Sequence, residues 1–156
     1  MPEHRDTELE DAMRIRDILA DKGGSVVTVE PDRTVHEAMC VLVEHNIGSV
    51  VVTEGGSIIG ILTERDVLRL GASAPEGLKK TAVGDVMTTE LVVAVEEDSV
   101  EYAAGVMTAS RIRHLPILDR DRLVGVVSIG DVVNAMKQEK EVENRYLRDY
   151  IQGVVR

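Results

Sequence analysis

The chain has no tryptophan and no phenylalanine, and only three tyrosines, one cysteine and four prolines among its 156 residues. Each shortage excludes a class of protein. One cysteine cannot form a disulfide framework or a cysteine-only zinc site. Three tyrosines cannot build the stacking platform that holds single-stranded nucleic acid. Lys and Arg number 18 against 28 Asp and Glu, a net charge of −10, so the dense positive surface that a phosphate backbone requires is missing. No uninterrupted apolar run approaches the roughly 20 residues of a membrane span, and the acidic N-terminus does not read as a signal peptide. What is abundant is valine, isoleucine and leucine. At 44% apolar the composition is too rich for a disordered chain. The expectation is a soluble, cytoplasmic globular protein with an aliphatic core, sized for one domain or two small units sharing a core.

The sequence repeats itself. Thr34-Val35 and Ala38 recur as Ser99-Val100 and Ala103, Ile47 as Ile112, Gly60 as Gly125, Thr63 as Ser128 and Asp66 as Asp131, each pair 65 positions apart. A lead-in, Ile15-Arg16-Asp17-Ile18-Leu19, recurs at a slightly larger offset as Val83-Gly84-Asp85-Val86-Met87, with the drift absorbed by loops at Lys22–Ser25 and Pro31–Arg33. Within each copy a β-branched run comes first (Val26–Val29; Val92–Val95), then a helix-period stretch from Thr34 to about His45 or from Ser99 to about Ser110. Thr34 and Ser99 suit N-capping. Two strand-like runs follow, Ser49–Thr53 with Ser57–Leu62 and His114–Leu118 with Arg122–Val127, joined by hairpin turns at Glu54-Gly55-Gly56 and Asp119-Arg120-Asp121. A second helix starts at Thr63 or Ser128. The pattern predicts an α+β fold of tandem β-α-β-β-α repeats packed sheet to sheet with pseudo-two-fold symmetry, since about 60 residues alone bury too small a core.

The repeated segment with chemical content is Gly60-Ile61-Leu62-Thr63-Glu64-Arg65-Asp66, echoed as Gly125-Val126-Val127-Ser128-Ile129-Gly130-Asp131. A strand ends in a hydroxyl residue, and a carboxylate follows three residues later in the first helical turn. One reading is a capping box. The other is a ligand site. A helix N-terminus offers N–H groups and partial positive charge to a phosphate, the hydroxyl can donate to it, and the carboxylate can accept both hydroxyls of a ribose. Capping gives no reason for the glycine, whereas a flat base approaching the backbone does. Two copies in one register favour the ligand.

These paired motifs on a duplicated β-α-β-β-α frame resemble a CBS-domain pair, the module named after cystathionine β-synthase, over nearly all of residues 15–139. The resemblance divides the chain into an acidic leader (1–14), a first repeat (15–72), a linker (73–82), a second repeat (83–139) and a C-terminal helical extension (140–156). It implies two clefts between repeats that bind adenosine-containing ligands such as AMP, ATP, NAD(H) or S-adenosylmethionine. Asp66 and Asp131 then hold ribose, and Thr63 and Ser128 reach phosphate. Gly60, Gly125, Thr28, Ile47, Gly48, Ile112 and Pro116 fall at lining positions. Arg111-Ile112-Arg113-His114 concentrates positive charge where the first repeat has none, and the resemblance assigns Arg113 and His114 to the phosphate of the Asp66 cleft. Arg65 adds charge to the first motif, and Arg111 and Lys22 are further anion contacts; the alternative for Lys22 is a mobile loop lysine. Glu97 in place of Pro31 would repel an anion, so the first cleft is expected to be the better phosphate site. The resemblance also implies a homodimer.

Three further features carry expectations. The polar residues 1–12 are expected to be loose. The helix after Asp131 should run to about Gln152, its stripe of Val132, Met136, Val142, Tyr146, Leu147, Tyr150 and Ile151 covering its own chain or forming a dimer contact. His36, Cys40 and Glu44 at i, i+4 and i+8 make a weak metal constellation with no echo in the second repeat, and Cys40 is expected to be a buried structural thiol. No nucleophile, base and oxyanion set is visible, so no enzyme is expected. Two functions remain in view: a regulatory sensor of an adenosine-type ligand, or an interaction module with degenerate clefts and a protein partner.

Overall fold

A computed structural model describes residues 12–23 and 26–153; of residues 1–12, for which looseness is expected, 1–11 lie outside them. The elements in chain order are α1 (Ile15–Lys22), β1 (Thr28–Val29), α2 (Val35–His45), β2 (Ser49–Glu54), β3 (Ser57–Thr63), α3 (Glu64–Ser73), a 3₁₀ turn (Pro75–Gly77), α4 (Val83–Val86), β4 (Ala94–Val95), α5 (Val100–Ser110), β5 (His114–Asp119), β6 (Arg122–Ser128) and α6 (Ile129–Ile151). Two three-stranded sheets form, ordered β1-β2-β3 and β4-β5-β6. This is the α+β tandem repeat expected, with two differences. The first strands are shorter than the runs Val26–Val29 and Val92–Val95, and the lead-in repeats are helices, α1 and α4, preceding each copy.

The described residues divide into two compact units, one of residues 12–23, 94–117 and 125–153, the other of residues 26–93 and 118–124. The lead-in of each repeat therefore belongs to the unit that carries the other repeat's motif. In the second unit, β1 runs parallel to β2 (Thr28 opposite Val51) and β2 antiparallel to β3 (Val50 opposite Leu62, Val52 opposite Gly60), with a bulge after Val52. Its core joins Val50, Val52 and Leu62 of the sheet to Ala38 and Leu42 of α2, with Val29 and Val83. The buried positions of α2, Val35, Ala38 and Leu42, fall at i, i+3 and i+7, one helical face. In the other unit, Ile15, Ile18, Val100, Ala103, Met107, Leu115, Ile117, Val127, Val132 and Ala135 are buried in the same manner.

Helix starts follow the sequence signals. The Thr34 hydroxyl accepts the Glu37 amide at 3.1 Å and the Ser99 hydroxyl accepts that of Tyr102 at 3.0 Å. Both of these helices end in a left-handed residue, Asn46 (φ 52°) and Arg111 (φ 55°). Asparagine suits that conformation and arginine does not. The two hairpins also need left-handed backbone at two successive residues, met by Gly55 and Gly56 in the first and by Arg120 (φ 48°) and Asp121 (φ 65°) in the second.

Candidate functional site

In the unit of residues 26–93, β3 delivers Thr63 to the start of α3. Its hydroxyl accepts the Asp66 amide at 3.3 Å, and its own amide donates to Asp66 Oδ2 at 2.9 Å. The reciprocal pair fixes the carboxylate over the first turn. The Thr63 hydroxyl also donates to Oδ2 at 3.1 Å. The Glu64 amide is tied to Gly48 O at 3.1 Å, which anchors α3 to the residue preceding β2. Thr88 lies against this motif. Its backbone exchanges two hydrogen bonds with Ile61, at 3.0 and 2.9 Å, and its hydroxyl donates to Asp66 at 3.3–3.4 Å.

The other unit repeats the arrangement at the β6–α6 junction. The Asp131 amide donates to Ser128 Oγ at 3.1 Å, the Ser128 amide to Asp131 Oδ2 at 2.9 Å, and the Ile129 amide to Arg113 O at 2.8 Å. What meets the carboxylate differs. Lys22, the last residue of α1, donates from Nζ to Asp131 Oδ2 at 2.7 Å and to Val126 O at 2.9 Å. Burial alone would raise the Asp131 carboxyl, but the Lys22 ammonium and the Ser128 amide and hydroxyl outweigh it and hold the group below its ordinary value of 3.8.

The motif glycines have a packing reason that the sequence reading did not supply. A Cβ on Gly60 would lie 2.5 Å from Met87 Sδ and 3.1 Å from Thr88 O, and one on Gly125 would lie 2.5 Å from Leu19 Cδ2. Met87 and Leu19 are the matching last residues of the two lead-in repeats. Each lead-in thus docks on a motif glycine, and that side of the strand holds an aliphatic side chain where a base was expected. The N-terminal N–H groups are also fewer than expected. The first and third amides of each helix are engaged, leaving those of Arg65 and Gly130 as first-turn donors without a backbone or capping partner among the described residues.

The expected site residues separate cleanly by unit. Thr28, Ile47, Gly48, Gly60, Thr63, Arg65 and Asp66 fall in one, and Lys22, Arg111, Ile112, Arg113, His114, Pro116, Gly125, Ser128 and Asp131 in the other. Arg65 and Arg113 are exposed, His114 half-buried and Pro116 buried. Lys22 does not sit in a loop; it closes α1 in an ion pair. Arg111 serves its backbone as the left-handed cap of α5. Cys40 is exposed, not buried, because it lies off the Val35, Ala38 and Leu42 face. No cluster of three or more His, Cys, Asp or Glu suited to a metal occurs among the described residues. In α6, Val132 and Ala135 are buried, whereas Val142, Tyr146, Leu147, Tyr150 and Ile151 are exposed; the described residues of the chain do not cover the outer half of that stripe. Thr88, Met87 and Leu19 were missed as motif partners. The recurrence of the lead-in at its own offset was the available signal.

Duplicated three-stranded sheets, each with a hydroxyl-capped helix carrying a carboxylate three residues on, define a tandem-repeat module of a known kind. The family model described as "CBS domain" matches twice, at residues 15–73 and 83–138, and the chain belongs to that family. The CBS domain-containing protein YhcV of Bacillus subtilis is 43% identical over 116 residues, covering 73% of this chain and 81% of its own. Among solved structures, the CBS-domain containing protein ATU1752 of Agrobacterium tumefaciens superposes with a TM-score of 0.76 at 38% identity, over 80% of this chain and 99% of that one. Two others were solved with ligands. The CBS domain pair of protein MJ0100 in complex with 5′-methylthioadenosine and S-adenosyl-L-methionine gives a TM-score of 0.73 at 25% identity, over 82% of this chain and 98% of that one. CBSX2 in complex with AMP gives 0.68 at 27%, with the same coverages. No helix among the described residues is long and apolar enough to cross a membrane.

Proposed function

We propose that this CBS pair is a regulatory module, not an enzyme, that binds an adenosine-containing ligand through Asp66 and Asp131 and transmits its occupancy through dimer conformation. The observation that carries the reading is the repeated capping carboxylate. Asp66 and Asp131 are each held by a hydroxyl and an amide at a helix start, poised to accept vicinal hydroxyls. The complexes of MJ0100 with 5′-methylthioadenosine and S-adenosylmethionine and of CBSX2 with AMP support the adenosine class. On Asp66 the ribose replaces the Thr88 hydroxyl, whose bonds of 3.3–3.4 Å are long and easily exchanged. Arg65 and its open amide are the phosphate contacts on that side. AMP, ATP, NAD(H) and S-adenosylmethionine are all candidates.

Transmission requires the ligand to favour one of two states. The motif helices are the moving parts of the proposal, because ligand sits at their N-termini while their outer faces carry Leu68 and Val133, exposed apolar residues at matching repeat positions. Leu68 borders an open groove with Met39, Val43, Ile47 and Val67, the surface we assign to homodimerisation. A thermal-shift panel of AMP, ADP, ATP, NAD, NADH and S-adenosylmethionine tests the reading. At 100 times the dissociation constant a ligand adds about 2.7 kcal/mol, an upward shift of about 5–10 °C at this size. If none moves the transition at millimolar concentration, the sensor reading fails. The exposed stripe Val142–Ile151 favours a second reading, a protein-interaction module. Loss of a protein partner on deleting residues 140–156, with no ligand response, would establish it.

A further inference from the structure

The same two acceptors are satisfied in different ways in the two units. On one side the Ile61 carbonyl and the Asp66 carboxylate are met by the amide and hydroxyl of Thr88, a neutral residue. On the other the matching pair, the Val126 carbonyl and the Asp131 carboxylate, are both met by the single ammonium of Lys22, at 2.9 and 2.7 Å. The lead-in offset that pairs Leu19 with Met87 pairs Lys22 with Glu90, so the cation has no counterpart on the Asp66 side. Asp131 is therefore already paired with a cation where a ribose would bind, and Asp66 is not, among the described residues. The side chains of Lys22 and Asp131 are 43% and 25% exposed, so the pair is accessible and can be exchanged for a ligand.

We propose that Lys22 is a displaceable counter-ion that makes the Asp131 site selective for nucleotides over nucleosides. The inference rests on the reading of Asp131 as a ribose carboxylate. Asp131 Oδ2 already accepts the Ser128 amide and the Lys22 ammonium, so a ribose diol that engages both carboxylate oxygens competes with Lys22 and leaves an ammonium short of its partner. A ligand that also carries a phosphate receives that ammonium, since Lys22 is a flexible point charge suited to phosphate. A bare nucleoside offers nothing in exchange.

The test isolates the Asp131 site with Asp66→Asn, which keeps a capping acceptor, and titrates AMP and adenosine by calorimetry. AMP is expected to bind at least about tenfold tighter than adenosine, about 1.4 kcal/mol. Adding Lys22→Met should shrink that ratio from both ends, weakening AMP and strengthening adenosine, while Lys22→Arg should preserve it. The gain in adenosine affinity separates displacement from simple phosphate attraction, which would leave adenosine unchanged. An unchanged ratio in Lys22→Met, with AMP binding still lost in Asp131→Asn, overturns the counter-ion role alone. AMP binding that survives Asp131→Asn in the Asp66→Asn protein, or no AMP binding to that protein, overturns the ribose reading of Asp131 and the selectivity built on it.

Discussion

Replacing Gly60 with alanine asks whether the motif glycine serves packing or ligand. The added Cβ would sit 2.5 Å from Met87 Sδ, 2.9 Å from Met87 Cγ and 3.1 Å from Thr88 O. Optimal separations between such atoms are about 3.5–4.0 Å, so Met87 must retreat by about an ångström while the Thr88 carbonyl, fixed by its bonds to Ile61, cannot. Overpacking of this kind costs about 1–3 kcal/mol, and at this chain length about 2 kcal/mol lowers the melting temperature by about 4–8 °C. The internal control is Gly105→Ala, at an exposed position of α5, where a Cβ meets nothing within 4 Å. It should stabilise by about 0.5–1 kcal/mol. With no tryptophan to report, unfolding is best followed by far-UV circular dichroism. In the Met87→Ala background the Gly60→Ala cost should fall by about half, leaving the Thr88 carbonyl clash, and the cycle isolates the coupling. A Gly60→Ala protein that melts like the wild type, but has lost ligand, would refute the packing account.

Three further outcomes follow from the described geometry. Replacing Arg120-Asp121 with Asn-Gly supplies the residues a doubly left-handed turn prefers and should raise stability by about 1 kcal/mol, or about 2–4 °C; an unchanged or lower melt contradicts the turn assignment. The depressed Asp131 carboxyl stabilises the fold fully above its unfolded value of 3.8 and loses that contribution as pH falls through its lower folded value. Lys22→Met should therefore cost about 0.5–1 kcal/mol at neutral pH, as a half-exposed pair does, with the difference from wild type shrinking below that value; urea midpoints between pH 2 and 6 read it. Cys40, exposed on α2, should react with a thiol reagent in the native state at one equivalent per chain. Protection until unfolding would show that something covers it.

Much of the fold was legible because its determinants are local. Thr34, Ser99, Thr63 and Ser128 announced their helices through the acceptor they offer to an amide three residues on, and strand-like apolar runs joined at Glu54-Gly55-Gly56 and Asp119-Arg120-Asp121 announced the hairpins. The carboxylates Asp66 and Asp131 were placed by the same local rule. What stayed hidden was contact between distant segments. Nothing near Gly60 names Met87 as its neighbour, and nothing near Lys22 names Asp131, which lies more than a hundred residues away. The helix α1 has eight residues, too few for its apolar period to stand out, though its recurrence before the second repeat was visible. Cys40 was misplaced for a different reason. Cysteine tends towards burial, but on the wheel of α2 position 40 falls away from Val35, Ala38 and Leu42.

The central claim is that two carboxylates at two helix starts hold adenosine-type ligands. Calorimetric titration of AMP into the wild type, Asp66→Asn, Asp131→Asn and the double variant tests it most directly. The account predicts binding in the wild type, loss of one class of site in each single variant, and none in the double variant, with all four proteins folded by circular dichroism. AMP binding of wild-type affinity and stoichiometry in the folded double variant would contradict it.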